Sequence, residues 1–137
     1  VQAYDLAGSA RVAAEIHTPI ASGETEYARY GFRDMLERQS ADVLMPDLER
    51  VGGITEFVKV AHMADAFDIP ISPHLYTEQC LQLCGALSNI DYSEMMPWFG
   101  PLYNEAMELV DGDLLVPDRP GLGFTFNPDA IGRYRVT

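Results

Sequence analysis

The chain has 137 residues, 47% hydrophobic and 22% charged, the mixture of a globular domain large enough to hold its own core. Twenty-one acidic residues against nine basic ones leave a net charge of −12, which argues against nucleic acid and anionic membrane surfaces as partners. No apolar run reaches the roughly 18 residues of a spanning helix and no signal peptide is visible, whereas an anionic small molecule stays admissible because one bound divalent cation reverses the local field.

The chain opens without Met in a segment that already reads as folded, so a preceding part is expected. Asp5 to Glu15 predicts a helix with Leu6, Ala10 and Ala13 on one face. Thr18 to Ala21 predicts a short buried strand that ends at Ser22-Gly23-Glu24. Thr25 is placed to cap a helix from Glu26 to Gln39 that buries Tyr30, Met35 and Leu36. Asp42 to Met45 is the next strand, ending at Pro46-Asp47, and a loop from Leu48 to Gly53 leads into a helix from Thr55 to Phe67. Ile54, Phe57, Val58, Ala61 and Ala64 supply that helix's apolar stripe. Ile69 to Ser72 is the third strand, ending at Pro73-His74, followed by a helix from Thr77 to Leu87. Ile90 to Ser93 is the fourth, ending at Glu94.

Strand-then-helix cycles at intervals of 20 to 27 residues mark parallel βαβ units, although periodicity alone does not separate an open sheet from a barrel. No glycine-rich phosphate loop follows any strand. After Glu94 the pattern changes. Pro97 to Pro101 interrupts it, and a short helix is expected at Asn104 to Leu109, a turn at Val110 to Asp113, and strand-like runs at Leu114 to Val116 and Phe124 to Phe126. Pro128 to Val136 reads as a helical turn and a final strand. Cys80 and Cys84 share one helical face, a spacing that rarely has disulfide geometry, and read as reduced core thiols of a cytoplasmic protein.

Each strand delivers an ionisable residue at its C-terminal end: Glu24, Asp47, His74 and Glu94. Taken singly, Glu24 and Asp47 read as caps, His74 as a satisfied structural histidine and Glu94 as a solvated loop charge. Four in register on successive strands point instead to one shared mouth, because barrel enzymes draw their catalytic groups from several strand ends. His17 precedes a strand at the opposite face, His62 lies mid-helix, and Met95, Met96 and Trp98 read as packing or pocket lining.

These segments resemble the enolase superfamily, and within it the mandelate racemase subgroup. Thr18-Pro19-Ile20-Ala21-Ser22-Gly23-Glu24 is similar to the fifth-strand motif, Asp42 to Asp47 with Arg50-Val51-Gly52-Gly53-Ile54-Thr55-Glu56 to the sixth, and Ser72-Pro73-His74-Leu75 to the seventh. Glu94 falls where the family has its eighth-strand Glu, and Val116-Pro117 with Pro120 to Phe124 resembles the closing segment. The muconate-lactonizing branch carries Lys on the sixth strand, whereas this chain has Asp47 there and His74 on the seventh.

The resemblance implies an α/β fold, the C-terminal half of a (β/α)₈ barrel. Residues 1–100 would supply strands five to eight, and 101–137 would return to a capping domain not present in this chain. It implies Glu24 as the third ligand of an essential Mg²⁺, His74 and Asp47 as a catalytic dyad, and Glu94 as a donor to a substrate carboxylate. The first two metal carboxylates and a second base would lie before Val1. The implied reaction is abstraction of the proton α to a carboxylate, followed by loss of water from an acid sugar. A racemase or epimerase of a 2-hydroxy acid is the alternative, and a non-catalytic metal- and carboxylate-binding barrel the alternative of another class. The implied partners are a small-molecule carboxylate and further copies of the chain.

Overall fold

In the computed structural model, which describes residues 1–136, four parallel segments lie side by side in chain order. β1 (Ala21–Ser22) pairs with β2 (Val43–Leu44), Leu44 bridges Ile71, and Ile71 bridges Ile90. The ladder continues through Leu44 N–H to the Pro70 carbonyl and Ile71 N–H to the Asn89 carbonyl. Helices follow: α1 (Leu6–Glu15) precedes β1, α2 (Ala28–Glu37) joins β1 to β2, α3 (Leu48–Val51) and α4 (Ile54–Asp65) follow β2, and α5 (Thr77–Ala86) follows the third segment. A sheet whose order never reverses is the arc of a barrel, whereas a doubly wound sheet has a switch point.

The core lies between this sheet and the α2–α4 pair. Phe32, Met35 and Leu36 of α2 meet Leu44, Ile71 and the Phe57, Val60, Ala61 and Ala64 face of α4, with Cys80 and Leu83 from α5. Burying Phe32 and Phe57 contributes about 1.5–3 kcal/mol each. Two glycines in positive-φ conformations, Gly52 and Gly53 (104° and 89°), let α3 stop and α4 start without an intervening loop.

Several expectations need correction. The buried strand expected at Thr18 to Ala21 is shifted: Thr18, Pro19 and Ala21 are exposed and the ladder is made at Ala21–Ser22. α2 begins at Ala28, not at a Thr25 cap, because Glu26 N–H closes a turn onto the Gly23 carbonyl first. Its buried face is Phe32, Met35 and Leu36. Tyr30 is 55% exposed, with the Arg29 guanidinium 4.6 Å over its ring. Ile54, at the first position of α4, is exposed. The loop from Leu48 contains α3.

The helix expected at Asn104 to Leu109 is absent. A 3₁₀ turn at Gly100–Leu102 leads instead into an extended Tyr103 that bridges Phe126, while the Asn104 amide donates to Thr125 Oγ1 and the Phe126 carbonyl. Pairing with the tail overrides local propensity there. β3 (Leu109–Val110) and β4 (Asp113–Leu114) form a hairpin around Asp111-Gly112, close to the expected turn. The irregular segment that follows packs on α5, with Gln82 Nε2 donating to the Pro117 carbonyl. α6 (Pro128–Tyr134) is capped by Asn127, and no strand follows it among the described residues; Thr137 lies outside them. Among the described residues no helix is long and apolar enough to cross a membrane.

Glu56 ties α4 to α2: Lys59 Nζ donates to it at 2.6 Å and Arg29 Nη1 at 2.7 and 2.9 Å. Lys59 first and Arg29 second hold its carboxyl down at about 2. The unfolded carboxyl titrates near about 4.3, so this contribution is fully present above that pH and is lost as pH falls towards about 2. Glu56→Gln should therefore show a shallower loss of thermal midpoint than the parent between about pH 5 and pH 2, followed by circular dichroism. Equal slopes would contradict the assignment. Burial pushes the Cys80 thiol up to about 12 and the Cys84 thiol up as well. Native protein at about pH 8 should accordingly leave Cys80 unlabelled by iodoacetamide, with both thiols reacting once the chain is denatured.

Candidate active site

The four strand-end residues converge on one end of the sheet. Asp47 and His74 form a parallel backbone bridge, with His74 N–H donating to the Pro46 carbonyl at 3.1 Å. Bridged residues on parallel strands present their side chains to the same face, so this pairing sets carboxylate beside imidazole. Asp47 Oδ2 lies 3.0 Å from His74 Nδ1. Asp47 Oδ1 accepts from Glu49 N–H and Arg50 N–H, both at 2.9 Å. Asp47 is thus at once the cap of α3 and the partner of His74, and its carboxylate, 2% exposed, is satisfied on both oxygens.

On the other side of the ring, His74 Nε2 is 3.1 Å from Glu24 Oε2. Glu24 is 53% exposed and marks the solvent side of the group. It is delivered by Gly23, whose φ of 125° is open to glycine, and a Cβ there would stand 2.7 Å from Phe32 Cε1. Arg50 Nη1 donates to the Glu24 carbonyl at 2.9 Å, tying the end of β1 to α3.

Glu94 joins through the backbone beyond His74: its Oε2 accepts from Leu75 N–H at 2.9 Å. Leu75 and Tyr76 have φ of 53° and 46°, two successive left-handed non-glycine residues of the kind that gather at functional sites. The Tyr76 ring stacks on Phe99 with centroids 4.9 Å apart.

So hydrogen bonds join Glu24, His74 and Asp47, and Glu94 is attached to the same stretch through the amide of Leu75, the residue after His74. It also brings in groups not singled out from the sequence: the Leu75 amide, the Arg50 guanidinium and the Thr77 hydroxyl. Thr77 was legible only as the start of a helix. His17 and His62 are exposed and stand apart from this hydrogen-bonded group.

Among the described residues no group of three or more His, Cys, Asp or Glu side chains is arranged to hold a metal ion. A half-exposed carboxylate such as Glu24 suits a hard cation as one oxygen ligand, but Mg²⁺ demands near-octahedral oxygen coordination and needs others.

The family model described as Enolase C-terminal domain-like matches residues 1–130. Among curated proteins, L-talarate/galactarate dehydratase of Salmonella typhimurium is 37% identical over 130 residues, 95% of this chain and 33% of the relative. Among solved structures, L-talarate dehydratase from Polaromonas sp., complexed with Mg and L-glucarate, superposes with a TM-score of 0.91 at 39% identity, covering 96% of this chain and 37% of that one. An enolase from Bradyrhizobium complexed with magnesium and mandelic acid superposes at 0.93 with 33% identity, covering 100% and 38%. The chain spans about a third of the length of the curated relatives it matches.

Gly23→Ala should cost about 2 kcal/mol or more, from positive-φ strain and the clash with Phe32. A urea midpoint equal to the parent's would show that the approach at Gly23 is not as tight as described.

Proposed function

Because the chain belongs to the Enolase C-terminal domain-like family, we propose that it supplies the C-terminal arc of a Mg²⁺-dependent acid-sugar dehydratase. The observation that carries this reading is the linked group of Glu24, His74 and Asp47, with Glu94 on the adjoining Leu75 amide. The curated relatives are named as dehydratases of talarate or galactarate, xylonate, arabinonate and galactonate.

In this reading Glu24 gives one carboxylate to the ion, and the remaining ligands come from residues N-terminal to this chain. When bound, Mg²⁺ supplies Lewis-acid stabilisation of the charge that develops on the substrate carboxylate. His74 moves the proton at Nε2, the ring atom on the open side of the site. Asp47 holds Nδ1, which fixes the tautomer and orientation of the ring. Glu94, as a carboxylic acid, would donate a hydrogen bond to the substrate carboxylate. In this reading His74 takes the α-proton at Nε2 and gives a proton back to the β-hydroxyl, which leaves as water while the electron pair of the broken C–H bond becomes the C=C bond of an enol. Residues 101–137 carry the chain back toward a capping domain, and the reduced thiols fit a cytoplasmic setting.

The mandelic acid complex of the Bradyrhizobium enolase supports a second reading, a racemase of a 2-hydroxy acid built on the same first step.

The test is the full-length protein with Mg²⁺ on a panel of aldonates and aldarates, scored for 2-keto-3-deoxy product. Product formation, with His74→Asn lowering kcat by about 10²-fold or more while the fold is retained, is the expected result. Solvent deuterium at the α-carbon with no loss of water would select the racemase reading. Full activity in His74→Asn would overturn the assignment of the dyad.

A further inference from the structure

The last strand of the arc pairs only at Ile90, and beyond it the main chain has no ladder. Among the described residues, no backbone–backbone hydrogen bond involves residues 91–95. Glu94 therefore sits on an irregular segment, yet a group that grips a substrate must be held in place by something. Its main chain is held by a hydroxyl. Thr77 Oγ1 donates to the Glu94 carbonyl at 2.7 Å and accepts from Met96 N–H at 3.2 Å.

Thr77 is fully buried at the first position of α5. A threonine at a helix start ordinarily spends its hydroxyl on its own first turn. This one reaches 17 and 19 residues along the chain. α5 has no side-chain cap, so the hydroxyl is given to the loop and not to the helix. Two further contacts run between the same two segments, Leu75 N–H to the Glu94 carboxylate and the stack of Tyr76 on Phe99. Residues 74–77 thus carry the imidazole and also hold the segment that carries Glu94. The strain of the left-handed Leu75–Tyr76 pair is offset by those contacts.

We propose that Thr77 is a positioning residue for Glu94, holding that carboxyl group on the Leu75 amide, one residue beyond His74, and so fixing where the substrate's carboxylate sits. This rests on the acid-sugar reading above. Thr77 touches no substrate and acts only through the Glu94 loop. A valine has the same shape without the hydroxyl, and leaves both the Glu94 carbonyl and the Met96 amide unpaired.

The experiment compares Thr77→Val and Thr77→Ser with the parent in the full-length protein. The first measurement is hydrogen exchange at the Leu75 amide, which reports whether the Glu94 carboxylate is still docked and needs no substrate. The second is KM and kcat, with Mg²⁺, for the acid sugar the parent turns over best. Losing one buried hydrogen bond corresponds to about a tenfold change. Thr77→Val should therefore speed Leu75 exchange about tenfold and raise KM about tenfold, with kcat within about threefold, and Thr77→Ser should restore both. Thr77→Ala accompanies them, so that a fold lost to valine still leaves a readable variant. Unchanged Leu75 exchange in a folded variant overturns the proposal, as does a fall in melting temperature with KM unmoved. A parent that turns over no acid sugar defeats the dehydratase reading alone, and the exchange measurement still decides the role of Thr77.

Discussion

In a parallel ladder, register decides which side chains share a face, and the bridge between Asp47 and His74 is the register on which the site depends. Slipping that pairing by one residue would turn one of the two partners to the other face. The pairing also solves a desolvation problem. A carboxylate as buried as Asp47 is costly unless its oxygens are met by donors. Two are amides of α3, which begins immediately after it, and the third group is the imidazole. The four-residue α3 is thus less an extra helix than the hydrogen-bonding counterpart of one buried charge.

The electrostatics follow from the same arrangement. Both nitrogens of His74 face carboxylate oxygens, one buried and one open to solvent. The buried partner is fully satisfied by backbone and ring, so it holds the imidazole without being free to leave it. The exposed partner, Glu24, is the one whose contact with the ring can be exchanged for another. Glu94 is kept apart from this group, its carboxylate accepting from the Leu75 amide. Two acidic residues therefore flank one imidazole in different states of satisfaction, with a third on the next amide along, an arrangement in which orientation, cation binding and substrate contact could fall to different carboxyl groups under the proposed function.

What the sequence made legible was the cycle of strand and helix and the polar residue at each strand end, because both repeat with the chain. The strand ends are read directly from where apolar runs stop, and this placed Glu24, Asp47, His74 and Glu94 together without coordinates. The face of α2 was misjudged because Tyr30 is large and apolar enough to look like core. Its hydroxyl instead accepts from Arg29, and Phe32 takes the inward position. The helix expected at Asn104 fails for a different reason: the side chain that would tolerate a helix is spent on Thr125 and Phe126, more than twenty residues on. α3 and the Thr77 hydroxyl were hidden because a cap and a long-range tether look alike in sequence. Each is a small polar residue beside an apolar run, and only the fold says which backbone it serves.

The remaining edge of the arc bears on how such a site can work. Among the described residues β1 has a neighbour on one side only, Ala21 is exposed, and α1 buries none of its residues, while Val12 and Ile16 stand in solvent. Parallel sheets are stable when both faces and edges are covered, and closure of a barrel is the arrangement that removes the edge altogether. The open edge and the half-exposed Glu24 carboxylate lie on the same strand, since Glu24 follows β1 directly. A segment that covered β1 would therefore be positioned to reach Glu24. Under the proposed function, completing the sheet and completing an oxygen shell around a cation would be one event, because the same added backbone would satisfy the edge amides and bring its own strand-end residues to the mouth. Metal affinity in such an arrangement is inseparable from the stability of the closed sheet.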